Sequence, residues 1–306
     1  MVKARVKKAK DIISNTTKND RLFYTIVYSI IIVLILCVAY PIVYIVSASF
    51  SDRFAVMSGK VVLWPVQFTL EGYQAVFKDP NIWIGYRNTI FYTTLATMLN
   101  IIITMLAAYP FSREHWPFKR IFMFFYTFTM LFSGGMIPTY ILVQRLGLTN
   151  TIWAMIIPGA LSIYNMIIAR TFIQSNIPHE LYEAALLDGC NDYGHFFHIV
   201  LPLSKTIIAV LVIFYSVGHW NAYFKAFIYL SRKNLYPLSI FLREVLIMNK
   251  IDTDLIVDEE LMEAKLGLEY LLKYALIVVS TAPIMCIYPF LQRHFVKGVM
   301  VGSLKG

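Results

Sequence analysis

The sequence predicts an all-α membrane protein with six transmembrane helices and both termini in the cytoplasm. Hydrophobic residues make up 58% of the 306 residues and charged residues only 15%, whereas soluble domains average about 25% charged residues. A soluble protein of this size has too little interior to bury so many apolar side chains, and the composition also excludes a disordered chain. In addition, six runs of at least 19 residues contain no Asp, Glu, Lys or Arg, and a helix needs about 20 apolar residues to cross a bilayer.

The predicted transmembrane domain covers residues 22–292, between a basic N-terminal segment (1–21) and a C-terminal tail (293–306). The first charge-free run is longer than the apolar core of a secretory signal, so an uncleaved membrane anchor is predicted. All six runs are too long for the strands of a membrane barrel, which need about ten residues each. The predicted spans are residues 22–51, 88–112, 121–144, 146–169, 206–224 and 274–292.

Lysine and arginine residues set the predicted orientation. Seven lie in the first 21 residues, three in the loop 113–120 and three after residue 292. In a six-span protein these regions share one side of the membrane with the loop 175–205, and the excess of positive charge marks that side as cytoplasmic. The net charge of +9 therefore follows from membrane orientation, and no nucleic-acid partner is predicted. The loop before the last span instead carries six acidic residues: Asp252, Asp254, Asp258, Glu259, Glu260 and Glu263.

The sequence offers little for an enzyme or a metal site. Its three cysteines are too scattered for a disulfide framework or a zinc site. It has no Gly-x4-Gly-Lys-Ser/Thr loop for phosphate, no Gly-x-Ser-x-Gly elbow and no His-Glu-x2-His metal helix. His195 and His198 are interpreted as surface residues rather than ligands. We therefore predict no enzymatic activity, no cofactor and no bound ATP in this chain.

The loop 175–205 contains residues that typically start and end a short helix. Ser175 or Asn176 is suited to cap it, and Pro178 is suited to its first turn. Two glutamates follow at once, where the helix dipole favours negative charge. Gly189 then ends the helix, as a residue in the left-handed conformation does.

A second short helix is predicted from Tyr193 to Val200, ended by Leu201-Pro202. Two short helices on a cytoplasmic loop form a protrusion to which a partner protein can bind. The alternative is an amphipathic helix that lies on the lipid surface. The physical argument alone leaves these two readings open.

Glu183-Ala184-Ala185, then Gly189 after three residues, then Ile199-x-Leu201-Pro202 after nine more, fill the pattern EAA-x3-G-x9-I-x-L-P. This loop resembles the EAA loop of binding-protein-dependent ABC importers. The resemblance implies that the loop forms coupling helices that dock in a groove of a cytoplasmic ATPase subunit, and that ATP binds there. The implied coupling residues are Glu183, Ala184, Ala185, Asp188, Gly189, Leu201 and Pro202.

The resemblance covers almost the whole chain. Phe68–Tyr73 with Arg87-Asn88-Thr89, and the tail after Gln292, resemble carbohydrate-uptake permeases of the maltose type. Three further segments resemble the branch for complex-polysaccharide fragments and aldouronates, although Ser239 stands where that branch usually has Gln. These segments are His219–Phe224, Tyr236-Pro237-Leu238 and Leu242-Arg243-Glu244. The implied partners are a homologous second permease, two ATPase subunits, an extracellular solute-binding protein and an oligosaccharide.

The fifth predicted span collects five polar or amphipathic residues near its outer end. Polar groups inside a span are costly unless they face a cavity or a partner, and aromatic rings with amide and imidazole groups suit a sugar. We predict that some of them line the substrate path, with Lys225 available to a uronate. The alternative is structural: Lys225 snorkels outward and Asn221 bonds another helix. The residues are His219, Trp220, Asn221, Tyr223 and Lys225.

Together these features predict a plasma-membrane permease subunit of an ATP-driven importer of oligosaccharides, whether neutral or acidic. A nearer alternative is an ABC permease for another class of solute. A self-contained secondary transporter or a membrane-embedded enzyme is the more distant alternative. It needs ionisable residues deep inside several spans, and the charge-free runs do not supply them.

Overall fold

The computed structural model describes residues 18–113, 116–248 and 267–286. These residues form helices and connecting turns without a β-strand, which confirms the all-α prediction. The basic residues before Lys18, the acidic run and the C-terminal tail lie outside the described residues. The helices are α1 (Lys18–Ser49), α2 (Arg53–Met57), α3 (Glu71–Lys78), α4 (Pro80–Ser112), α5 (Lys119–Leu131), α6 (Met136–Arg145), α7 (Trp153–Ile156), α8 (Ile163–Asn176), α9 (Glu180–Leu187), α10 (Asp192–Leu203), α11 (Lys205–Trp220), α12 (Tyr223–Tyr229), α13 (Leu238–Arg243) and α14 (Gly267–Cys286).

Three of these helices are long and apolar enough to cross a membrane: Asp20–Ser49 within α1, all of α4, and α14. Two further candidates are bent pairs. α5 and α6 meet at an angle of 111°, and α10 and α11 meet at 76°. If each bent pair is one span, the described residues contain up to five spans. The predicted membrane-helix content is thus confirmed, but six continuous helices are not seen.

The predicted spans 121–144 and 146–169 are not single helices. The first breaks between α5 and α6, where Gly135 adopts a φ of +85°. The second breaks between α7 and α8 at Pro158-Gly159, and Gly159 has a φ of +78°. A charge-free run measures hydropathy alone, whereas a glycine in the left-handed region ends a helix whatever the polarity of the residues around it.

The described residues of the first compact unit are 18–73 and 267–275. Between Leu22 and Val38 every side chain of α1 except Val27 is exposed, as expected for a helix surrounded by lipid. Its small described core consists of Ala48, Ala55, Val56, Val61 and Leu271. The Phe50 ring stacks on Phe68 at 5.6 Å between centroids. The Phe68–Tyr73 motif therefore folds against the end of α1.

The described residues of the second unit are 74–113, 116–248 and 276–286. Its main core lies where α4 packs against α8, α10 and α11. Inside it, the hydroxyls of Thr104 and Tyr215 are 2.6 Å apart, so both polar groups are satisfied. The buried members are Met105, Ala108, Phe111, Met166, Ala169, Ile173, Ile177, Phe196, Val200, Ile207, Leu211 and Tyr215.

Two motifs that are far apart in the sequence meet on α4. The Asn88 amide donates to the carbonyls of Asn234 (2.8 Å) and Tyr236 (3.0 Å). Thr89 Oγ1 accepts a hydrogen bond of 2.8 Å from the Leu238 amide. One contact therefore joins the motifs Arg87-Asn88-Thr89 and Tyr236-Pro237-Leu238. In it, buried side chains of the first motif form hydrogen bonds with backbone groups of the turn before α13.

Gly85 is the close-approach point of this contact. A Cβ atom there would lie 2.9 Å from the Phe241 ring and 3.0 Å from Leu238 Cα. Gly85→Ala is expected to lower the free energy of unfolding by about 1–3 kcal/mol, because backbone has to move. Thermal unfolding of the purified protein measures this. The matched control is Gly218→Ala in α11, where no described atom lies within 4 Å of the new Cβ.

The control is expected to change stability in the opposite direction. Alanine has a higher helix propensity than glycine, so Gly218→Ala gains about 0.5–1 kcal/mol if nothing obstructs it. Equal effects at the two positions would show that the approach of α13 to Gly85 does not constrain the fold.

Candidate functional site

The first helix of the loop, α9, runs from Glu180 to Leu187 and ends at Gly189, whose φ is +75°. The Gly189 amide donates to the Leu186 carbonyl (3.0 Å) and the Cys190 amide to the Ala185 carbonyl (2.8 Å). This pair of bonds is a Schellman motif, in which the glycine satisfies the last carbonyls of the helix. Gly189 therefore ends α9, as the sequence predicted.

The start of α9 differs from the prediction. His179 occupies the N-cap position, and its side chain does not form the capping hydrogen bond to the first turn. Asn176, predicted as a cap, belongs to α8 instead, where its amide donates to the Phe172 carbonyl at 3.1 Å. Capping by Ser175 or Asn176 was therefore wrong, because α8 extends to Asn176.

α9 presents most of the predicted coupling residues to solvent. Leu187 is 90% exposed, and Glu183, Ala184, Asp188 and Gly189 are exposed as well. Ala185 is 5% exposed and faces the interior of the chain. The exposed surface is thus an acidic helix with three exposed leucines, of which Leu187 is the most exposed, whereas Ala185 packs against the rest of the chain; the other two are Leu181 (38%) and Leu186 (49%).

The second helix, α10, begins at Asn191, whose side chain accepts a 2.8 Å hydrogen bond from the Gly194 amide. It contains a π-helical turn over Phe196–Val200 and continues through Leu201 and Pro202 to Leu203. The prediction that Leu201-Pro202 ends this segment was wrong. Proline removes one backbone donor, and the wide turn directly before it already interrupts the regular α-helical ladder. The chain instead bends at Ser204 into α11.

A cluster of five side chains joins this loop to the end of α4; we call it the Arg113 cluster. The Arg113 guanidinium lies over the rings of Tyr109 (4.5 Å) and Tyr182 (4.4 Å) and donates to His195 Nδ1 at 2.6 Å. The Tyr182 hydroxyl donates to the Asp192 carboxylate (3.1 Å). One cation from α4 thus contacts both α9 and α10.

His195 is 1% exposed, so its interpretation as a surface residue was wrong. Its pKa is lowered to about 4, first because burial penalises the charged ring and second because the Arg113 cation is adjacent; Asp192 opposes this shift. The ring is therefore neutral and accepts from Arg113 through Nδ1, which places its hydrogen on Nε2. One sign of this cluster is present in the sequence, an arginine (Arg113) directly after a charge-free run. Because membrane orientation already explained a positive charge at that position, the cluster was not predicted.

The buried neutral His195 makes stability pH-dependent. An unfolded chain binds a proton near pH 6.5, but the folded chain does so only near pH 4. Stability is thus fully present above pH 6.5 and is lost as the pH falls from 6.5 to 4. Comparing thermal unfolding of the protein with His195→Gln across this window tests this, because the variant removes that part of the slope. Identical slopes in the two proteins would contradict it.

The five residues of the fifth-span cluster have different surroundings in the structure. Trp220 is 8% exposed, and its indole donates to the Ser280 carbonyl at 2.9 Å. His219 Nε2 donates to the Asn100 amide oxygen (3.0 Å) when the amide is oriented so that its nitrogen meets the Ala96 carbonyl. Asn221 and Tyr223 are exposed.

Lys225 stabilises the interruption between helices α7 and α8. Its ammonium donates to the carbonyls of Met155 (2.8 Å) and Pro158 (2.6 Å), where α7 ends. These carbonyls lack helical partners because Pro158 and Gly159 interrupt the helix. The sequence could not reveal this role, since the interruption itself was not predicted.

A cavity of about 590 Å³ opens beside the Arg113 cluster and includes Trp116, His179 and Tyr193 in its lining. Among the described residues, no group of His, Cys, Asp and Glu side chains is arranged to hold a metal ion. The geometry of this region is thus that of an exposed helical knob fixed to a long membrane helix. Packed rings and one guanidinium connect α9 to the end of α4.

Residues 100–301 match the family of the binding-protein-dependent transport system inner membrane component. The chain belongs to this family. It is 39% identical over 288 residues to the polygalacturonan/rhamnogalacturonan transport system permease protein of Bacillus subtilis, covering 94% of this chain and 99% of that one. It is also 39% identical over 266 residues to protein LplC of Bacillus subtilis, covering 87% and 89% of the two chains.

A solved structure shares the architecture of this permease. A chain of a bacterial ABC transporter involved in the import of the acidic polysaccharide alginate superposes with a TM-score of 0.82 at 33% identity. The match covers 92% of this chain and 99% of that chain. The prediction of a membrane-bound, non-enzymatic permease subunit of an ABC importer is therefore confirmed. The alternative of a self-contained secondary transporter is wrong.

Proposed function

We propose that this permease passes acidic, uronate-containing oligosaccharides across the membrane after an extracellular solute-binding protein delivers them. The observation that carries the proposal is the nature of its relatives. Over more than nine-tenths of its length it resembles one permease named for polygalacturonan and another from an alginate importer. Both polymers are built from sugar acids, which makes a carboxylated oligosaccharide the best-supported substrate.

The proposed assembly pairs this chain with a homologous second permease and two cytoplasmic ATPase subunits. The exposed face of α9 supports the docking role, because Leu187 is 90% exposed and none of the described residues covers this apolar surface. Closure of the ATPase dimer on ATP then pushes α9 and α10. Because the Arg113 cluster holds these helices to α4, the movement reaches the membrane helices as a rigid-body shift.

The substrate path is proposed to pass the exposed members of the fifth-span cluster. Asn221 and Tyr223 are accessible and offer an amide, a ring and a hydroxyl to sugar. An ammonium has three hydrogens, and Lys225 gives two to carbonyls of this chain. The third is available for a substrate carboxylate. Trp220 and His219 hold the surrounding helices in place.

Uptake by the reconstituted transporter tests the substrate class. Proteoliposomes with the co-expressed subunits and binding protein are given labelled oligogalacturonate or a neutral oligosaccharide of equal length. Import of the acidic oligomer is expected to exceed that of the neutral one and to require the binding protein. Equal or preferential import of the neutral oligomer would overturn the proposal.

Variants then test the path separately. Tyr223→Ala is expected to lower uptake about ten-fold without loss of ATPase assembly, because a stacking surface disappears. The matched control is Tyr164→Ala, another exposed tyrosine, at 58% exposure in α8. If both variants lower uptake equally, or if Tyr223→Ala disrupts assembly, Tyr223 has a structural role.

A further inference from the structure

The chain after α2 forms a short loop without charged residues; we call residues 61–70 the Trp64 loop. Seven of its ten residues are hydrophobic, and none is Asp, Glu, Lys or Arg. The loop belongs to the first compact unit, together with α1. Neither the proposed substrate path nor the docking surface of α9 includes it, so its apolar composition has another cause.

Hydrogen bonds fix the backbone of the loop to the end of α1. Ser47 Oγ donates to the Leu63 carbonyl (2.6 Å). The Val66 amide donates to Ser51 Oγ (3.1 Å), and the Val66 carbonyl accepts from the Asp52 amide (3.0 Å). Both serines are buried, so water does not compete for their hydrogen bonds. The position of the loop is therefore defined relative to α1.

The fixed backbone leaves several apolar side chains of the loop pointing outward. Trp64 is 82% exposed, Phe68 68% and Val62 53%. Val61, by contrast, is 3% exposed and belongs to the small core of the unit. The Trp64 indole N–H forms no hydrogen bond with the described residues. The loop thus combines an exposed apolar surface with one available donor.

The end of α1 lies at the boundary of the membrane. The apolar helix Asp20–Ser49 has 30 residues, which makes it about 45 Å long. A bilayer has a hydrocarbon core of about 30 Å and measures about 40–45 Å with its headgroup regions. The first charged residues after this helix are Asp52 and Arg53. A loop that is bonded to Ser47 and Ser51 therefore lies at the level of the headgroups.

Lipid matches this surface better than a reversible protein partner does. Interfaces that form and separate are about as apolar as the rest of a protein surface, and a solute-binding protein that comes and goes forms such an interface. Lipid already surrounds the neighbouring helix, since α1 exposes every side chain from Leu22 to Val38 except Val27. Tryptophan is enriched at membrane interfaces because its ring is apolar while its N–H reaches headgroups or water.

We propose that the Trp64 loop is a membrane anchor, in which Val62, Trp64 and Phe68 insert into the headgroup region at the C-terminal end of α1. In the predicted orientation this is the outer leaflet. The partner is phospholipid in general, because the loop has no charged side chain that selects one headgroup. The inserted aromatic rings help to set the depth and tilt of α1. The proposal depends on α1 crossing the membrane and not on the identity of the transported sugar.

Quenching of tryptophan fluorescence tests the anchor. The full-length chain, with the subunits that co-purify, is reconstituted in liposomes whose phospholipids carry bromine near the glycerol end of the acyl chains. Trp64→Phe removes one of the five tryptophans of this chain, so the emission lost in the variant is that of Trp64. Brominated lipid is expected to lower this emission about two-fold or more, and aqueous iodide to lower it less. An unchanged melting temperature verifies that the variant folds.

The matched control is Trp220→Phe, because Trp220 is 8% exposed and its indole is bonded to the Ser280 carbonyl. The emission lost in this variant is expected to respond less to brominated lipid than that of Trp64. Quenching of Trp64 by iodide alone would place the loop in water. Resistance to both quenchers would place it against a protein such as the second permease. Protection from iodide that requires the binding protein would make the loop a docking surface. Each of these three results overturns the proposal.

Discussion

Replacing Arg113 with alanine is expected to lower binding-protein-stimulated ATP hydrolysis by about ten-fold or more, while the membrane helices stay folded. Arg113 lies 4.4–4.5 Å from two tyrosine rings and 2.6 Å from His195 Nδ1. Each cation–π contact contributes about 0.5–2 kcal/mol, and a hydrogen bond to a charged group contributes about 1.5–3 kcal/mol. The variant also removes one of two possible donors to His195 Nδ1, since the Tyr109 hydroxyl lies 3.1 Å from the same nitrogen. α9 then loses its Arg113 contact with the end of α4, so less of the motion of the ATPase subunits is expected to reach α4.

Two variants separate this effect from a general loss of charge. Arg113→Lys keeps the cation but loses the planar group that stacks between Tyr109 and Tyr182, so an intermediate loss is expected. Arg145→Ala, an exposed arginine at the end of α6, is expected to leave hydrolysis unchanged. Basal hydrolysis and ATPase association are measured in parallel. Normal stimulation of the Arg113→Ala transporter would show that the Arg113 cluster has no part in coupling.

A double-mutant cycle locates the contact. If Arg113 acts through the Tyr182 ring, Arg113→Ala combined with Tyr182→Leu costs less than the sum of the two single variants. Additive effects would assign the function of Arg113 to its other contacts, the Tyr109 ring and His195. This comparison tests the geometry, because Tyr182 lies on α9 and His195 on α10.

The features predicted correctly from the sequence are local ones. α1 and α4 coincide with charge-free runs because hydropathy and helix length are properties of consecutive residues. Gly189 ends α9 for an equally local reason, since glycine adopts a φ of +75° without a Cβ clash. The EAA pattern identified the family through the same short segment.

The wrong or missing predictions involve contacts between distant segments. Arg113 and His195 are 82 residues apart in the chain, and Lys225 and Met155 are 70 apart. Lys225 was predicted to lie on the substrate path because it is polar within an apolar segment, and that role stays a prediction; what the sequence missed is its contact with Met155 and Pro158. In the structure its charge is stabilised by carbonyls that the break at Pro158 leaves free, and no local pattern contains that information.

Replacing Leu187 with aspartate is expected to weaken ATPase association about a hundred-fold while α9 still forms. Leu187 is 90% exposed, so the change removes no described packing. Burying a leucine at an interface contributes about 2–3 kcal/mol, and placing a carboxylate in an apolar groove adds a further cost. Pull-down of the purified ATPase subunit measures the effect. Leu187→Met, which keeps apolar volume, is the matched control and is expected to bind normally.

The Leu187→Asp variant also decides whether α9 binds a protein partner or a lipid surface, when binding to anionic vesicles is measured beside the pull-down. Glu180, Glu183 and Asp188 make this short helix acidic, with no lysine or arginine from Glu180 to Gly189. Helices that lie on membranes instead carry basic residues, since the cytoplasmic leaflet is negatively charged. The charge of α9 therefore favours a protein groove that accepts Leu187 and either leaves the carboxylates in solvent or forms ion pairs with them. If Leu187→Asp releases the loop from anionic vesicles but leaves ATPase binding intact, α9 is a lipid-bound helix and the docking surface lies elsewhere.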